Sequence, residues 1–300
     1  MPGVTGKTQI DQATGTFLAE SRYTLQERPG VIASSVRRER LPENKGASVN
    51  IPKYGTVTTY ALTEGVDMAQ AQQITDTLMT ITPAEFGAQV ILTDLMMMTV
   101  KDEFFRVAGR ILGDSFDRQR EQTLADDFDS FSISIGADGT VLNVGHVMAA
   151  HAGIKYGTTL ADGTAGRGGE PGPDPITAVL GYPQIHGLKK AMAGGIGAAG
   201  ATQVVSNLDR GAWSESFNLS GTTVKGSVNL NKAADDTIKG GTFSKEATIL
   251  VELGAGPGVE KERDASLRGW ELNFVGRWAR GEYNDAWGRE MLGESVQPSS

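Results

Sequence analysis

Between Thr93 and Phe131 the sequence carries apolar residues mostly three or four apart: Val100, Phe104, Val107, Ile111, Phe116, Leu124 and Phe128. That spacing places them on one face of a helix. Thr93 or Asp94 supplies an N-cap, and Asp114–Arg118 and Asp117–Arg120 sit at helical neighbour spacings. An unbroken helix over 94–131 would have 38 residues and span about 57 Å. The average helix is only about 11–12 residues long. A helix of this length is a strut that crosses a flat domain, and the rest of the chain has to be read around it.

The segments on either side of the strut do not bury themselves. Residues 1–50 are sparse in apolar side chains and read as an N-terminal arm. The cluster Arg37, Arg38 and Arg40 could grip an acidic neighbour or nucleic acid. With Glu39 and Glu43 interleaved, a solvated helix end is the simpler reading. In 51–82, Val57, Thr58, Thr59 and Tyr60 favour strand, Gly65 breaks the run, and Ile74 to Ile81 is β-prone again. This predicts a long hairpin, polar on both faces, that needs a partner to lie on. Thr82-Pro83-Ala84-Glu85 has the form of a capping box with proline at the first helical position. Phe86, Ala88, Val90 and Leu92 nevertheless alternate with period two, and Gly87 disfavours helix. The reading adopted is strand through Leu92.

After the strut, "ISIGADGTVLN" reads as a hairpin about Ala137-Asp138-Gly139, and Asn143 can cap a helix from Val144 to Tyr156. Residues 176–180 form a buried strand, followed by a short helix from Pro183. Residues 201–243 are a string of short strands and turns. Strands follow at 246–253 and 268–281, the second with Trp270, Leu272, Phe274 and Trp278 on one face. Glycine contributes 39 of 300 residues, about twice the usual ~7%, so many bends are expected.

Searches for chemistry fail on context. Gly195-Ile196-Gly197-Ala198-Ala199-Gly200 spells a dinucleotide fingerprint. That fingerprint needs a strand before it and a helix opening on its last glycine, whereas here a helix precedes and β-prone residues follow. "GVTGKT" at 3–8 is too short for a phosphate-binding loop. His146 and His151 are five apart and do not share a helix face as a metal pair would. His151 or His186 as a general base lacks a visible partner. Asp126, Asp127 and Asp129 read as a solvated helix end, and Met96-Met97-Met98 as packing. With no cysteine, thiolate metal sites and disulfides are excluded. The net charge of −8 argues against a protein built to grip phosphates. Residues 1–12 hold no apolar signal core, and no run reaches the ~18 apolar residues of a membrane span. No catalytic residue, cofactor or metal ligand is therefore expected.

The order of elements resembles the major capsid protein of tailed bacteriophages (Caudoviricetes), an α+β fold known as the Hong Kong 97-type capsid fold and shared with encapsulins. The residues that carry the likeness span most of the chain. "VNIPKYGTVTTYALTEG" looks like the entry to that family's extended E-loop and "ITPAEFGAQVILTD" like its return strand. "TVKDEFFRVAGRILGDSFDRQREQTLADDF" looks like its spine helix, and "ITAVLGYPQIHGLKKAM" like its axial-domain strand, proline and helix. "FSKEATILVEL" and "VEKERDASLRGWELNFVGRWARG" look like its late strands.

The resemblance implies an N-terminal arm over 1–50, an E-loop over 51–82 and a peripheral domain beginning at 83–135 with the spine helix at 94–131. An axial domain over 136–245 and late strands returning to the peripheral domain over 246–300 complete the division. It also implies a non-enzymatic subunit of the virion capsid, assembled in the host cytoplasm into pentamers and hexamers around double-stranded DNA. Separate scaffolding, portal and decoration proteins are partners such a shell can take, and no membrane is involved. The family often carries a scaffolding segment before the arm, and the sequence begins at the arm. Inter-subunit contacts are expected at Tyr54, Thr58, Tyr60, Gln72 and Ile74 of the E-loop and at Arg37, Arg38 and Arg40. A flexible axial-domain loop is expected at Gly194, Gly195, Gly197 and Gly200. Two other readings stand beside this one: an encapsulin compartment holding cargo enzymes, and an oxidoreductase using the glycine motif.

Overall fold

The computed structural model describes residues 30–42, 46–55, 57, 59–65, 67, 71–99, 102–157, 170–194, 216–233, 236–254 and 258–294. Two large sheets, a two-stranded hairpin and four α-helices are built from them. The first sheet is organised on one long strand, β13 (Gly269–Glu282). On one edge it pairs antiparallel with β4 (Ala84–Thr93) over the whole length of β4. On the other edge lie β11 (Thr248–Leu253) and then β12 (Gly258–Asp264), one after the other. β1 (Arg37–Leu41) runs parallel to β11 and completes the sheet.

Period two decides the conflict at 82–93 in favour of strand. In β4, Phe86, Ala88 and Val90 are half-buried and Leu92 is buried, while the alternate positions face solvent. A helix would have scattered that set around its axis and given up ten residues of pairing with β13. The expected face of β13 is also present: Leu272, Phe274 and Trp278 are buried, and Trp278 stacks on Phe86 with 4.3 Å between ring centroids. Trp270, on the same side, carries Lys261 at 4.4 Å over its ring.

The strut is shorter than the periodicity suggests. It divides into α1 (Asp94–Thr99) and α2 (Asp102–Ala125), with residues 100 and 101 outside the described set. At 24 residues α2 spans about 36 Å. It stops at Ala125 because Asp126 and Asp127 favour turn over helix. A tight turn, Phe128–Ser130, follows, with the Ser130 hydroxyl bonded to the Asp127 carbonyl. Phe128 continues the apolar stripe because it is buried, and that burial occurs outside the helix.

The second sheet has the order β5 (Ser134–Gly136), β14 (Gly288–Glu294), β10 (Thr237–Ser244), β6 (Ile176–Gly181), β8 (Thr222–Ser227) and β7 (Ser216–Leu219). A short β9 (Asn231–Lys232) pairs with β10. Every residue of β6 is buried, as its continuous apolar run predicts. Ala178 and Leu180 face α3 (Val144–Tyr156) and α4 (Tyr182–Gly194). α3 starts at the predicted Asn143, whose side chain accepts the His146 N–H while the His146 ring accepts the Asn143 N–H. The hairpin expected about Ala137-Asp138-Gly139 does not form. β5 pairs parallel with β14, and after the turn Leu142 is buried in the cluster under α3 and α4. The late residues also divide. β13 stays in the first sheet and β14 joins the second, so 246–300 does not return to the first layer as a block.

The two sheets share one core. Phe128 is 1% exposed and stacks on Phe243 of β10 at 5.2 Å and on Phe131 at 6.3 Å. The same cluster contains Phe116 of α2 and Phe274 and Trp278 of β13. Two glycines make room for the rings. A Cβ on Gly288 would stand 2.1 Å from the Phe131 ring, and one on Gly241 2.5 Å from the Phe128 ring. Phe128→Ala is expected to cost about 3–5 kcal/mol and Gly288→Ala about 1–3 kcal/mol through overpacking. Denaturant midpoints of the variants check both values.

Candidate assembly surface

The expected long hairpin is present, with strands displaced toward its base. β2 (Val49–Tyr54) pairs antiparallel with β3 (Asp76–Ile81). Val57, Thr59 and Tyr60, expected to be strand, lie beyond the ladder. At its base the hairpin is anchored: Ile51 and Ile81 bury against Leu41, Ile249 and Val251 on one face of the first sheet. Toward its tip it has no such cover. Tyr54 is 66% exposed, Tyr60 53%, Leu62 66% and Ile74 65%. Val57 and Leu78 are exposed as well, and so is Gln72. From Tyr54 to Asp76 the charged residues are Glu64, Asp67 and Asp76, all acidic. Thr58 lies outside the described residues. Large apolar side chains therefore gather on an element that cannot bury them within its own subunit, which marks an association surface.

The arginine cluster lies elsewhere. Arg37, Arg38 and Arg40 occupy strand β1, so the solvated helix end expected there is corrected to an edge strand. Its parallel partner is distant in sequence, and local periodicity carries no trace of it. Arg37 pairs with Glu39 at 2.6 Å and Glu246 at 3.0 Å, and Arg38 donates to the Ala33 carbonyl at 2.9 Å. Arg40 is exposed. The cluster thus spends two of its three charges on contacts within the chain. The structure does not bring it to the hairpin tip.

Sequence reading missed what anchors the segment before β1. Glu121 on α2 is 1% exposed, and its carboxylate accepts the Ile32 and Ala33 N–H groups at 2.8 Å each. One helical turn earlier, Asp117 accepts the Gly30 N–H. Gly30 admits Glu121 because a Cβ there would fall 1.9 Å from its carboxylate. Lys225 of β8 donates to the Ser35 hydroxyl at 2.8 Å, and burial pulls its ammonium below its ordinary range. Turn 30–36 is thereby tied to α2 and to the second sheet at once. A carboxylate in a helical stripe reads as solvated, and only the folded chain shows otherwise.

The residues weighed for chemistry are used structurally. His151 is hydrogen-bonded to the Thr222 hydroxyl at 2.9 Å, and His186 is exposed. Asp126 accepts from Asn231, Asp127 pairs with Arg280, and Asp129 pairs with Lys239. Met96 packs against the shared core, while Met98 is exposed. Among the described residues there is no group of three metal-ligating side chains, and no helix is long and apolar enough to cross a membrane. Gly194 ends α4, so a helix does precede the glycine motif. Gly195, Gly197 and Gly200, like residues 3–8, lie outside the described residues.

An α+β chain with a strut helix under one sheet, a second sheet with two helices on one face, and a projecting hairpin has the Hong Kong 97-type capsid fold. The head structure of Helicobacter pylori bacteriophage KHP40 superposes with a TM-score of 0.66 at 9% identity, covering 86% of this chain and 88% of that one. The capsid of a native GTA particle does so with 0.63 at 11%, covering 98% and 93%. The virus-like particle from Pyrococcus furiosus gives 0.54 at 9%, covering 92% and 98%. No protein-family model and no curated protein matches the chain.

Burial raises the Glu121 carboxyl above its ordinary value of 4.5, and the two backbone donors only partly offset this. The folded state therefore holds the proton more tightly than the unfolded chain does, and this residue's contribution to stability grows as pH falls from neutrality toward that value. Glu121→Ala leaves two buried N–H groups without an acceptor and is expected to cost about 2–4 kcal/mol at neutral pH. Glu121→Gln is expected to cost less and to flatten the pH dependence of the unfolding midpoint. Denaturant titrations at neutral and mildly acidic pH check both.

Proposed function

We propose that the chain is the shell-forming subunit of an icosahedral virion capsid of the tailed-phage type, which encloses double-stranded DNA. The observation that carries this reading is the hairpin. It is anchored at its base by Ile51 and Ile81, and it exposes Tyr54, Val57, Tyr60, Leu62, Ile74 and Leu78 toward its tip. A monomer gains nothing from such a surface, whereas a closed symmetric assembly buries it. Obligate interfaces bury about 2,000–5,000 Å², an area that extended elements can supply without a large flat face. The capsid and head structures that share the fold support the same reading.

In this reading the first sheet with α2 is the peripheral domain, the second sheet with α3 and α4 is the axial domain, and the hairpin is the E-loop. The hairpin lies over an adjacent subunit in pentamers and hexamers. The arm contributes through Arg40, whose charge faces solvent. The net charge of −8 keeps the body from adhering to the enclosed DNA. Assembly takes place in the host cytoplasm, with scaffolding, portal and decoration proteins as separate partners. The likeness to a virus-like particle favours a second reading, a nanocompartment shell holding cargo protein.

Electron microscopy of the purified full chain tests the proposal, with uniform closed polyhedra as the expected result. Nuclease-protected DNA inside particles from infected cells supports a virion, and packaged protein without genome supports the compartment. Tyr54→Ser combined with Ile74→Ser is expected to abolish shells. Unfolding of the unassembled subunit should shift by no more than about 0.5 kcal/mol, because both side chains are exposed. Wild-type protein that stays monomeric under every condition overturns the proposal.

A further inference from the structure

Two helices cover the same face of the second sheet, and their outward sides differ. Along α4, His186 and Lys190 stand one turn apart and are exposed, the polar side expected of a helix that meets water. α3 has no such side. Val147, Ala150 and Ile154 are buried against the sheet. The exposed positions are Gly145, Met148, Ala149, Ala152 and Tyr156, a stripe at i, i+3, i+4, i+7 and i+11 that carries no charge. The other polar side chains of α3 are engaged within the chain. The His146 ring accepts the Asn143 N–H, His151 is bonded to the Thr222 hydroxyl, and Lys155 pairs with Asp174 at 2.8 Å. A helix that is apolar all round belongs in an interior, yet Met148 is 46% exposed.

A second apolar patch lies at the other end of the same strands. Gly181 pairs with Ser227, and the residues that follow them, Tyr182 and Val228, leave the sheet together. Val228 is 78% exposed, and Tyr182 is exposed beside it, its ring 2.8 Å from where a Cβ on Gly226 would stand. α3 meets β8 at the opposite end, where His151 bonds Thr222. From Thr222 to Ser227 the strand covers about 17 Å, so the two patches cannot cover each other within one chain. We propose that they do so between chains: the outward face of α3 packs against the Tyr182 and Val228 patch of a second copy, head to tail. A contact between unlike patches repeats from copy to copy and closes into a ring where the rotation allows. Charge favours this occupant over a neighbour's hairpin. The hairpin brings Glu64, Asp67 and Asp76, and the stripe holds no cation to meet them, whereas Tyr182 and Val228 bring no charge. Five exposed positions fall short of the roughly 20–30 residues a side of a stable interface, so the seam adds to the hairpin contacts and does not replace them. It rests on the shell reading only for the number of copies in the ring.

The chain has no cysteine, so introduced thiols give a clean test. Met148→Cys and Val228→Cys are placed singly and together in the full-length chain, and the assembled protein is treated with a short bis-maleimide. Both positions are exposed in the subunit and tolerate the change. The double variant is expected to give a ladder of covalent dimers, trimers and higher multimers that ends at the ring size. A mixture of the two single variants should stop at the dimer, and each single variant alone should stay monomeric. A dimer from either single variant joins like to like and overturns the proposal. So does a double variant without a ladder, or a Met148→Cys chain that couples better to Ile74→Cys of the hairpin than to Val228→Cys. Ala149→Glu is expected to lower the yield of rings at least ten-fold, because the seam would bury a carboxylate without a partner, and to leave the unfolding midpoint of the unassembled subunit in place. Unchanged assembly of that variant also overturns the seam. Shells without the ladder overturn the seam and leave the shell reading standing, and a ladder without shells does the reverse.

Discussion

The fold depends on the aromatic stack where Phe128 meets Phe243 and Phe131. Phe128 follows α2 at the point where the helix has to stop, and its ring stacks on Phe243 of the second sheet. Because Phe116, Phe274 and Trp278 belong to the same cluster, the first sheet shares its core with one side of the second, while the second sheet closes another core against α3 and α4. Dispersion and area burial concentrated at that point hold in place the turn that Asp126 and Asp127 favour, where a helix end would otherwise fray. The glycines at 241 and 288 have to be read as part of the stack, since a methyl group at either would occupy the space of a ring.

Around this apolar centre the molecule places polar ties at its joints. Glu121, Asp117 and Lys225 hold the turn that precedes β1, and Gln184 bonds at once to Gly181, Ile238 and Gly293. The carboxylate and amide ties satisfy backbone groups that would otherwise stay bare in the interior, and Lys225 reaches the Ser35 hydroxyl. The hairpin follows the opposite rule. Its base shares a small apolar cluster with the first sheet, while its outer part carries apolar side chains with nothing beneath them. The division between a self-sufficient body and a dependent limb is the physical content of the functional reading.

Much of this was legible in local pattern. Period two at Phe86–Leu92 outweighed a capping box at Thr82–Glu85, the Asn143 cap started its helix on register, and the apolar run at 176–180 is a fully buried strand. What local pattern could not supply was pairing across long distances. β1 is a strand because β11 lies beside it, and the segment after β5 is no hairpin because Leu142 is needed under α3 and α4. The helix end was misplaced because Phe128 kept the stripe intact in another conformation. For the assembly surface, the family resemblance pointed to Tyr54, Tyr60 and Ile74 as subunit contacts, and all three are exposed. It gave no hint that Arg37 and Arg38 would be occupied within the chain or that Glu121 would be interior, because buried charge and surface charge share one alphabet.

The long strand β13 has a mechanical meaning. Ten of its fourteen residues are bonded to β4 on one edge, and β12 and then β11 line the other. A pull along its axis cannot open these ladders one rung at a time, because every rung is loaded together in shear. With partners on both flanks the load is shared by two ladders. The interruption between β11 and β12, at the positive-φ Gly254, means that the second ladder yields in two sections. The first sheet therefore behaves as a tension member about 46 Å long, stiff along the strand and compliant across it. Stretching the molecule along that axis loads those ladders in shear.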